Sequence, residues 1–135
     1  MGKGFSTPPE IVKEIIDIGY YKATSSSSSL VLLGILAGAF IAFASQGSNV
    51  TIHTIESLGL AKTLAGALFA AGLIMVVIGG GELFTGNTLI IVSCLEGRTR
   101  WRDLFRNWVL VYLGNFIGSL LIVFLILGSG QLNFS

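Results

Sequence analysis

Residues 63–95 form a stretch of 33 residues in which Glu82 is the single charged side chain. A straight helix of that length would extend about 50 Å, whereas the hydrocarbon core of a bilayer is about 30 Å thick. Four glycines lie close to the charge in the run Gly79-Gly80-Gly81-Glu82-Leu83-Phe84-Thr85-Gly86-Asn87. Non-helical backbone at membrane depth is tolerated only where protein or a water-filled cavity satisfies its polar groups. The stretch therefore predicts a helix broken near Glu82, next to a permeation pathway or a binding site.

The composition is that of a membrane protein. The chain of 135 residues is 53% hydrophobic and 11% charged, against about 25% charged in a typical soluble domain. A net charge of +1 gives no electrostatic basis for a nucleic-acid partner. Cys94 is the lone cysteine and His53 the lone histidine, so we expect no metal and no cofactor. The sequence shows no nucleophile–base pair and no P-loop, and we therefore expect no enzyme.

Three apolar segments predict an all-α membrane protein with three transmembrane helices. The predicted spans cover residues 24–45, 63–95 (the broken one) and 107–128. Before them, Thr7-Pro8-Pro9-Glu10 has the pattern of a capping box with proline at the first helical position. It predicts an amphipathic N-terminal helix over 7–23. Because no soluble domain fits between these elements, residues 1–135 are interpreted as one transmembrane domain.

The basic residues predict the orientation of the chain in the bilayer. Lys62 is the only lysine or arginine between the first two spans. All the others precede the first span or lie between the second and third: Lys3, Lys13, Lys22, Arg98, Arg100, Arg102 and Arg106. The positive-inside rule places these two regions, and with them the N-terminus, in the cytoplasm. We expect a multi-pass protein of a bacterial or archaeal cytoplasmic membrane.

The polar residues of the glycine run have two possible roles each. Glu82 could accept hydrogen bonds from backbone N–H groups that the break frees, which we favour, or it could contact a proton or substrate. The Thr85 hydroxyl can donate to an anion. Asn87 lies where a second half-helix is expected to restart, either as a cap or beside an anion site at its N-terminus. Leu83 and Phe84 could form an apolar constriction.

Small and amide residues indicate how the spans pack. Residues 34–38 and 114–118 both have the GxxxG spacing, which allows close approach of helix backbones but also occurs by chance in a glycine-rich chain. Asn115 lies in the middle of the third span and is expected to bond another helix. Trp101 and Trp108 suit the interfacial aromatic belt.

The run Gly80-Gly81-Glu82-Leu83-Phe84-Thr85-Gly86-Asn87, after an apolar segment over 73–78, resembles the signature of the formate/nitrite transporter family. The N-terminal segment Thr7–Ile11 is similar to that family's first helix. The segment from Gly97 to Asn115 is similar to its second loop and third span. The resemblance covers essentially the whole chain.

The resemblance implies a fold, an assembly and a set of solutes. The family fold is aquaporin-like, with six spans in two inverted three-span repeats, and it assembles as homopentamers with one pore per protomer. Its solutes are small monovalent anions such as formate, nitrite and hydrosulfide. The family's pore histidine and an anion-attracting lysine belong to the second repeat. We therefore expect that a second three-helix repeat completes the pore, and favour a shortened chain over a genuine half-protein.

The resemblance also implies roles for individual residues. The loop Glu82–Gly86 interrupts the second helix and acts as a gate, with Gly81 and Asn87 at its borders. Thr85 matches the loop threonine that contacts the solute or the central histidine, and Leu83 matches a residue of the inner constriction. Phe69 and Leu73 match apolar residues that line the outer part of the path.

Three functions follow as hypotheses. The first is a channel or transporter for small monovalent anions. The second is a membrane scaffold or accessory subunit that transports nothing. The third is a pore for neutral solutes, which we disfavour because the sequence lacks the Asn-Pro-Ala motifs of aquaporins.

Overall fold

A computed structural model describes residues 5–131 of the chain, all of it helices and connecting turns. The helices, in chain order, are α1 (Pro8–Thr24), α2 (Ser27–Ile52), α3 (Leu58–Ile78), α4 (Phe84–Asn87), α5 (Ile90–Leu95) and α6 (Trp101–Gly128). Three of them, α2, α3 and α6, are long and apolar enough to cross a membrane. The predicted all-α architecture with three candidate spans is confirmed. Lys3, used above for orientation, lies outside the described residues.

Helix α1 begins where the capping box is expected. The backbone N–H of Thr7 donates to the Glu10 carboxylate at 2.7 Å, and proline occupies the first turn. The buried face of α1 carries small residues and packs against α5. At Gly19 an added Cβ would lie 2.9 Å from the Cβ of Ser93. The absence of a side chain at Gly19 therefore determines how closely α1 lies on α5.

Each of the three long helices extends beyond its predicted limit at one end, while α2 begins at Ser27 instead of 24 and α3 ends at Ile78 instead of continuing toward 95. Helix α2 continues to Ile52 instead of ending at 45, and α3 begins at Leu58 instead of 63. Helix α6 begins at Trp101 instead of 107, so two arginines of the presumed loop lie in its first turns. The apolar segment ends where the hydrocarbon is expected to end, but the helix continues into polar sequence because its backbone hydrogen bonds do not depend on hydropathy. In this polar part of α2, Thr51 donates its hydroxyl to the Gly47 carbonyl one turn earlier at 2.9 Å.

Helices α2 and α6 make the most extensive packing interface of the fold. Both GxxxG motifs lie at this crossing. A Cβ at Gly38 would overlap the Asn115 carbonyl, and a Cβ at Gly118 would overlap the Ile35 carbonyl. An added Cβ at Gly114 would be 3.0 Å from the Gly34 Cα. The motifs that the sequence could not distinguish from chance therefore bring two helix backbones into direct contact.

Helix α3 packs against α2 and ends at Ile78, after which residues 79–83 are not helical. We call residues 79–83 the break. Its Gly80 has a φ of 65°, in the left-handed region that glycine adopts without steric cost. Helix α3, with 21 residues, is itself long and apolar enough to be a candidate membrane span. The two short helices α4 and α5 return the chain toward α1 and α6.

Most of the apolar surface of the long helices points outward. In the most apolar windows of α2, α3 and α6, only 28%, 17% and 17% of the residues are buried within the protein. A surface of this kind requires lipid or further protein segments as neighbours.

Candidate functional site

Two backbone N–H groups at the end of the break donate to neighbouring helices. The N–H of Glu82 donates to the Leu33 carbonyl of α2 at 3.1 Å. The N–H of Phe84, which follows the break, donates to Oδ1 of Asn115 on α6 at 3.0 Å. Neither the Glu82 N–H nor the Phe84 N–H is therefore left without an acceptor. Unsatisfied backbone groups of this kind are not tolerated in the interior of a membrane.

The Glu82 carboxylate has a different partner from the one that the sequence favoured. It forms a salt bridge with Lys22 at 2.7 Å and is not used to accept the N–H groups that the break frees. The Glu82 side chain is 11% exposed and that of Lys22 is 26% exposed. The N–H groups of Glu82 and Phe84 already donate to acceptors on α2 and α6. The buried Glu82 carboxylate pairs instead with Lys22 near the end of α1. A buried charge is tolerated only when it is paired in this way.

Asn87 is fully buried and lies at the centre of an amide network. Its Oδ1 accepts from Lys22 Nζ at 3.2 Å, and its Nδ2 donates to Asn107 Oδ1 at 2.9 Å. Asn107 in turn donates to the Lys22 carbonyl at 3.0 Å. Helical geometry resumes at Phe84 and not at Asn87, which is the last residue of α4. Asn87 therefore joins α1, α4 and α6 and does not cap a helix.

Thr85 and Gly86 lie on the exposed side of α4. Within residues 5–131 the Thr85 hydroxyl makes no hydrogen bond, while the Thr85 carbonyl accepts from the Thr88 hydroxyl at 2.6 Å. Leu83, just before them, is half-buried. The exposed hydroxyl of Thr85 is thus free to donate to a ligand that approaches this face.

Phe84 is turned toward α6 and packs in an aromatic cluster that we define as Phe84, Phe105, Trp108 and Tyr112. Its ring meets Trp108 and Tyr112 edge-to-face at centroid distances of 5.8 and 5.7 Å. Phe105 packs on Trp108 at 5.9 Å. Trp108 was expected in the interfacial belt, but its Nε1–H donates inward to the Asn87 carbonyl at 2.9 Å. The indole has this inward partner because α4 presents a free carbonyl at its C-terminal end.

The remaining predicted positions lie on two different surfaces. Phe69 and Leu73 are one turn apart on α3 and are 45% and 54% exposed. Gly81 faces α2, where an added Cβ would be 3.0 Å from the Ala37 Cβ. The predicted residues of the break and of α4 are thus brought together, and Phe69 and Leu73 belong to the preceding helix.

Sequence reasoning missed Lys22 and Asn107 as members of the site. It counted Lys22 only toward orientation, and it gave Asn107 no partner. Lys22 is 60 residues from Glu82 along the chain, so no local spacing relates the two. A general rule could have found the pair, since a carboxylate in a membrane segment requires a cation or a donor. Across residues 5–131, no group of three or more His, Cys, Asp or Glu side chains could hold a metal ion.

Comparison with known proteins identifies the relatives of this chain. The family model described as "Formate/nitrite transporter" matches residues 9–135. The chain is 41% identical over 127 residues to "Formate channel FocA" of Haemophilus influenzae, covering 93% of this chain and 45% of that protein. It is 39% identical over 126 residues to "Formate channel FocA" of Escherichia coli K12, covering 92% and 44%. It is 34% identical over 129 residues to "Probable formate transporter" of Methanothermobacter thermautotrophicus, covering 92% and 47%. The chain thus spans about half the length of these relatives.

Proposed function

Because this chain belongs to the formate/nitrite transporter family, we propose that the protein carries small monovalent anions such as formate across the cell membrane. The family is one of transporters, and its named relatives are channels and transporters, not enzymes. The structural observation that carries the proposal is the break over 79–83. It is non-helical backbone between apolar helices, with the N–H groups of residues 79–82 hydrogen-bonded and the exposed Thr85 hydroxyl two residues beyond it. Such an arrangement is typical of a pathway through a membrane protein.

In this proposal α3, the break, α4 and α5 together form the second span, and the break acts as a gate. Leu83 and Phe84 supply an apolar constriction that admits only small solutes that have lost most of their hydration water. Thr85 donates its hydroxyl to the anion as it passes, which replaces part of the lost hydration. Phe69 and Leu73 line the outer part of the path. Their exposed side chains are available for this role.

Glu82 and Asn87 brace the gate and do not bind the anion. Lys22 neutralises the carboxylate at 2.7 Å, which removes a bare negative charge from a path for anions. The amide of Asn87 is occupied on both sides by Lys22 and Asn107. Gly81 allows the chain to lie close to α2, where an added Cβ would be 3.0 Å from the Ala37 Cβ, and Gly86 leaves the exposed side of α4 beside Thr85 without a side chain.

The complete pore further requires a second three-helix repeat, arranged as in an aquaporin-like six-span fold, and we propose a homopentamer in the bilayer. The outward-facing apolar surface of the three long helices supports both, because it needs protein or lipid to cover it. The N-terminus faces the cytoplasm, in keeping with the positive-inside pattern.

Solute flux into liposomes tests the proposal. The full-length protein that contains these residues is purified, reconstituted and exposed in turn to inward gradients of formate, nitrite, hydrosulfide and urea. We expect flux of the anions above that of empty liposomes. Urea flux without anion flux would favour a neutral-solute pore, and no flux of any solute would favour a non-transporting scaffold. The nitrite and hydrosulfide arms define the range of anions.

A further inference from the structure

Three residues of α6 contact the segment from Glu82 to Asn87 from one side. They are Trp108, Tyr112 and Asn115, spaced i, i+4 and i+7, so they lie on one face of the helix. We call them the α6 stripe. A helix face is rigid compared with a non-helical connection, because each of its residues is fixed by the helix hydrogen bonds. The α6 stripe therefore offers a fixed surface against which the less regular segment lies.

Asn115 fixes the backbone on both sides of Leu83. Its Nδ2 donates to the Glu82 carbonyl at 2.8 Å and to the Gly34 carbonyl at 2.9 Å. Its Oδ1 accepts from the Phe84 N–H at 3.0 Å. The Asn115 amide thus uses both N–H donors of Nδ2 and accepts one hydrogen bond at Oδ1. If the amide were rotated by 180°, Oδ1 would face two carbonyl oxygens, which cannot donate to it. The sequence predicted a bond to another helix, and the structure adds that the same amide holds the break.

Tyr112 and Trp108 fix the ring of Phe84. Their rings pack edge-to-face against it, with interplanar angles of 78° and 69°. Edge-to-face aromatic pairs have a preferred geometry beyond simple burial, so the ring is held in orientation as well as in place. Trp108 also bonds the Asn87 carbonyl at the end of α4. Within residues 5–131 the Tyr112 hydroxyl makes no hydrogen bond, so its contribution here is the ring alone.

We propose that the α6 stripe positions Phe84 and thereby sets the largest anion that the gate admits, with Asn115 and Tyr112 as its positioning residues. This inference rests on the proposed function, in which Phe84 belongs to the constriction. An apolar constriction discriminates by size only if its side chains cannot yield to a larger solute. A well-fixed apolar site discriminates about tenfold between two solutes that differ by a single carbon.

The test is the ratio of acetate flux to formate flux in liposomes, since acetate is formate with one more carbon. The full-length protein is compared with Tyr112→Leu and with the matched control Tyr112→Phe, which keeps the ring. Tyr112 is 57% exposed, so we expect the leucine variant to fold. The ratio should rise about threefold or more in Tyr112→Leu and stay at the wild-type value in Tyr112→Phe.

Asn115→Ala provides a second arm, with Ser119→Ala as its control one turn further along α6. Ser119 bonds the Gly38 and Asn115 carbonyls and makes no hydrogen bond to the break. We expect the flux ratio to rise in Asn115→Ala and to stay unchanged in Ser119→Ala.

The outcomes separate this inference from the proposed function. A role in folding alone would lower formate and acetate flux in proportion, and an unchanged ratio in Tyr112→Leu would overturn the inference while formate transport stands. A wild-type protein that carries no anion would contradict the proposed function, and the inference with it.

Discussion

The α2–α6 crossing and the break achieve close backbone contact by opposite means. At the crossing, side chains are absent: Gly38 and Gly118 approach neighbouring carbonyls so closely that a Cβ does not fit. At the break, polar side chains bridge the gaps, with Asn115 bonding both Glu82 and Phe84. The first contact cannot be loosened without separating the helices. The contact at the break consists of individual hydrogen bonds, each of which can be replaced by a hydrogen bond to another partner.

The two regions are joined through the neighbouring residues Gly114 and Asn115. Gly114 brings α6 onto α2 near Gly34. The next residue, Asn115, can therefore reach the Gly34 carbonyl and the break at once. A rigid frame of two helices thus carries the residue that holds the segment proposed to move. The two regions therefore differ in chemistry, small residues in one and polar side chains in the other, although adjacent residues of α6 serve both.

The largest effect is expected from Gly38→Ala, which disrupts the frame. The new methyl group would overlap the Asn115 carbonyl, and backbone cannot rotate away as a side chain can. Overpacking costs about 1–3 kcal/mol in ordinary cores and occasionally more, and we expect a loss above about 3 kcal/mol here because the overlap is with backbone. Unfolding by SDS titration in mixed micelles measures the loss.

Gly66→Ala is the matched control for that substitution. Gly66 lies in α3, where an added Cβ has no neighbour within 4 Å. Alanine favours a helix over glycine by up to about 1 kcal/mol. The control should therefore be neutral or more stable. Equal destabilisation by the two substitutions would contradict the close packing of the crossing.

A smaller effect is expected from Lys22→Met, which leaves the Glu82 carboxylate without its cation. Removing one partner of a buried ion pair costs about 3–5 kcal/mol, whereas exposed pairs contribute about 0–1 kcal/mol. Because Lys22 is 26% exposed, we expect an intermediate loss of about 2–3 kcal/mol in the same SDS titration.

The second ion pair of α1 supplies the control. Asp17 pairs with Arg98, and both side chains are more than half exposed, at 60% and 53%. Asp17→Asn should therefore cost less than about 1 kcal/mol. If it destabilised the protein as much as Lys22→Met, the pairing of Glu82 would have no special role at the break.

The smallest effect on stability is expected from Trp108→Phe. The substitution keeps an aromatic ring beside Phe84 and removes the Nε1–H that donates to the Asn87 carbonyl. Loss of one hydrogen bond of this kind costs about 0.5–1.5 kcal/mol. SDS titration should show this small loss. A loss as large as that of Lys22→Met would mean that α4 depends on the indole hydrogen bond as much as on the charge pair.

The helices and the position of the break could be predicted from the sequence because both depend on local patterns. Apolar length predicts the spans, and the glycines around Glu82 predict the end of α3. The partners could not be predicted in this way. Lys22 and Glu82 are 60 residues apart, and Asn115 is 31 residues from Phe84. Such pairs depend on how the helices pack. For Asn115 the packing is determined by the glycines of the α2–α6 crossing, and their GxxxG spacing was weak evidence because it also occurs by chance.

The central claim is that the segment from the break to Thr85 controls the passage of small anions. Its most direct test is the initial rate of formate entry into liposomes that contain the full-length protein with Thr85→Leu. Thr51→Leu serves as the control, because Thr51 is exposed near the end of α2 and, within residues 5–131, its hydroxyl bonds only its own helix. Loss of a hydrogen bond to an anion costs about 1.5–3 kcal/mol, which corresponds to a decrease of about tenfold or more. We predict that decrease for Thr85→Leu and a wild-type rate for Thr51→Leu, with equal amounts of folded protein. A wild-type formate rate in Thr85→Leu would contradict the account.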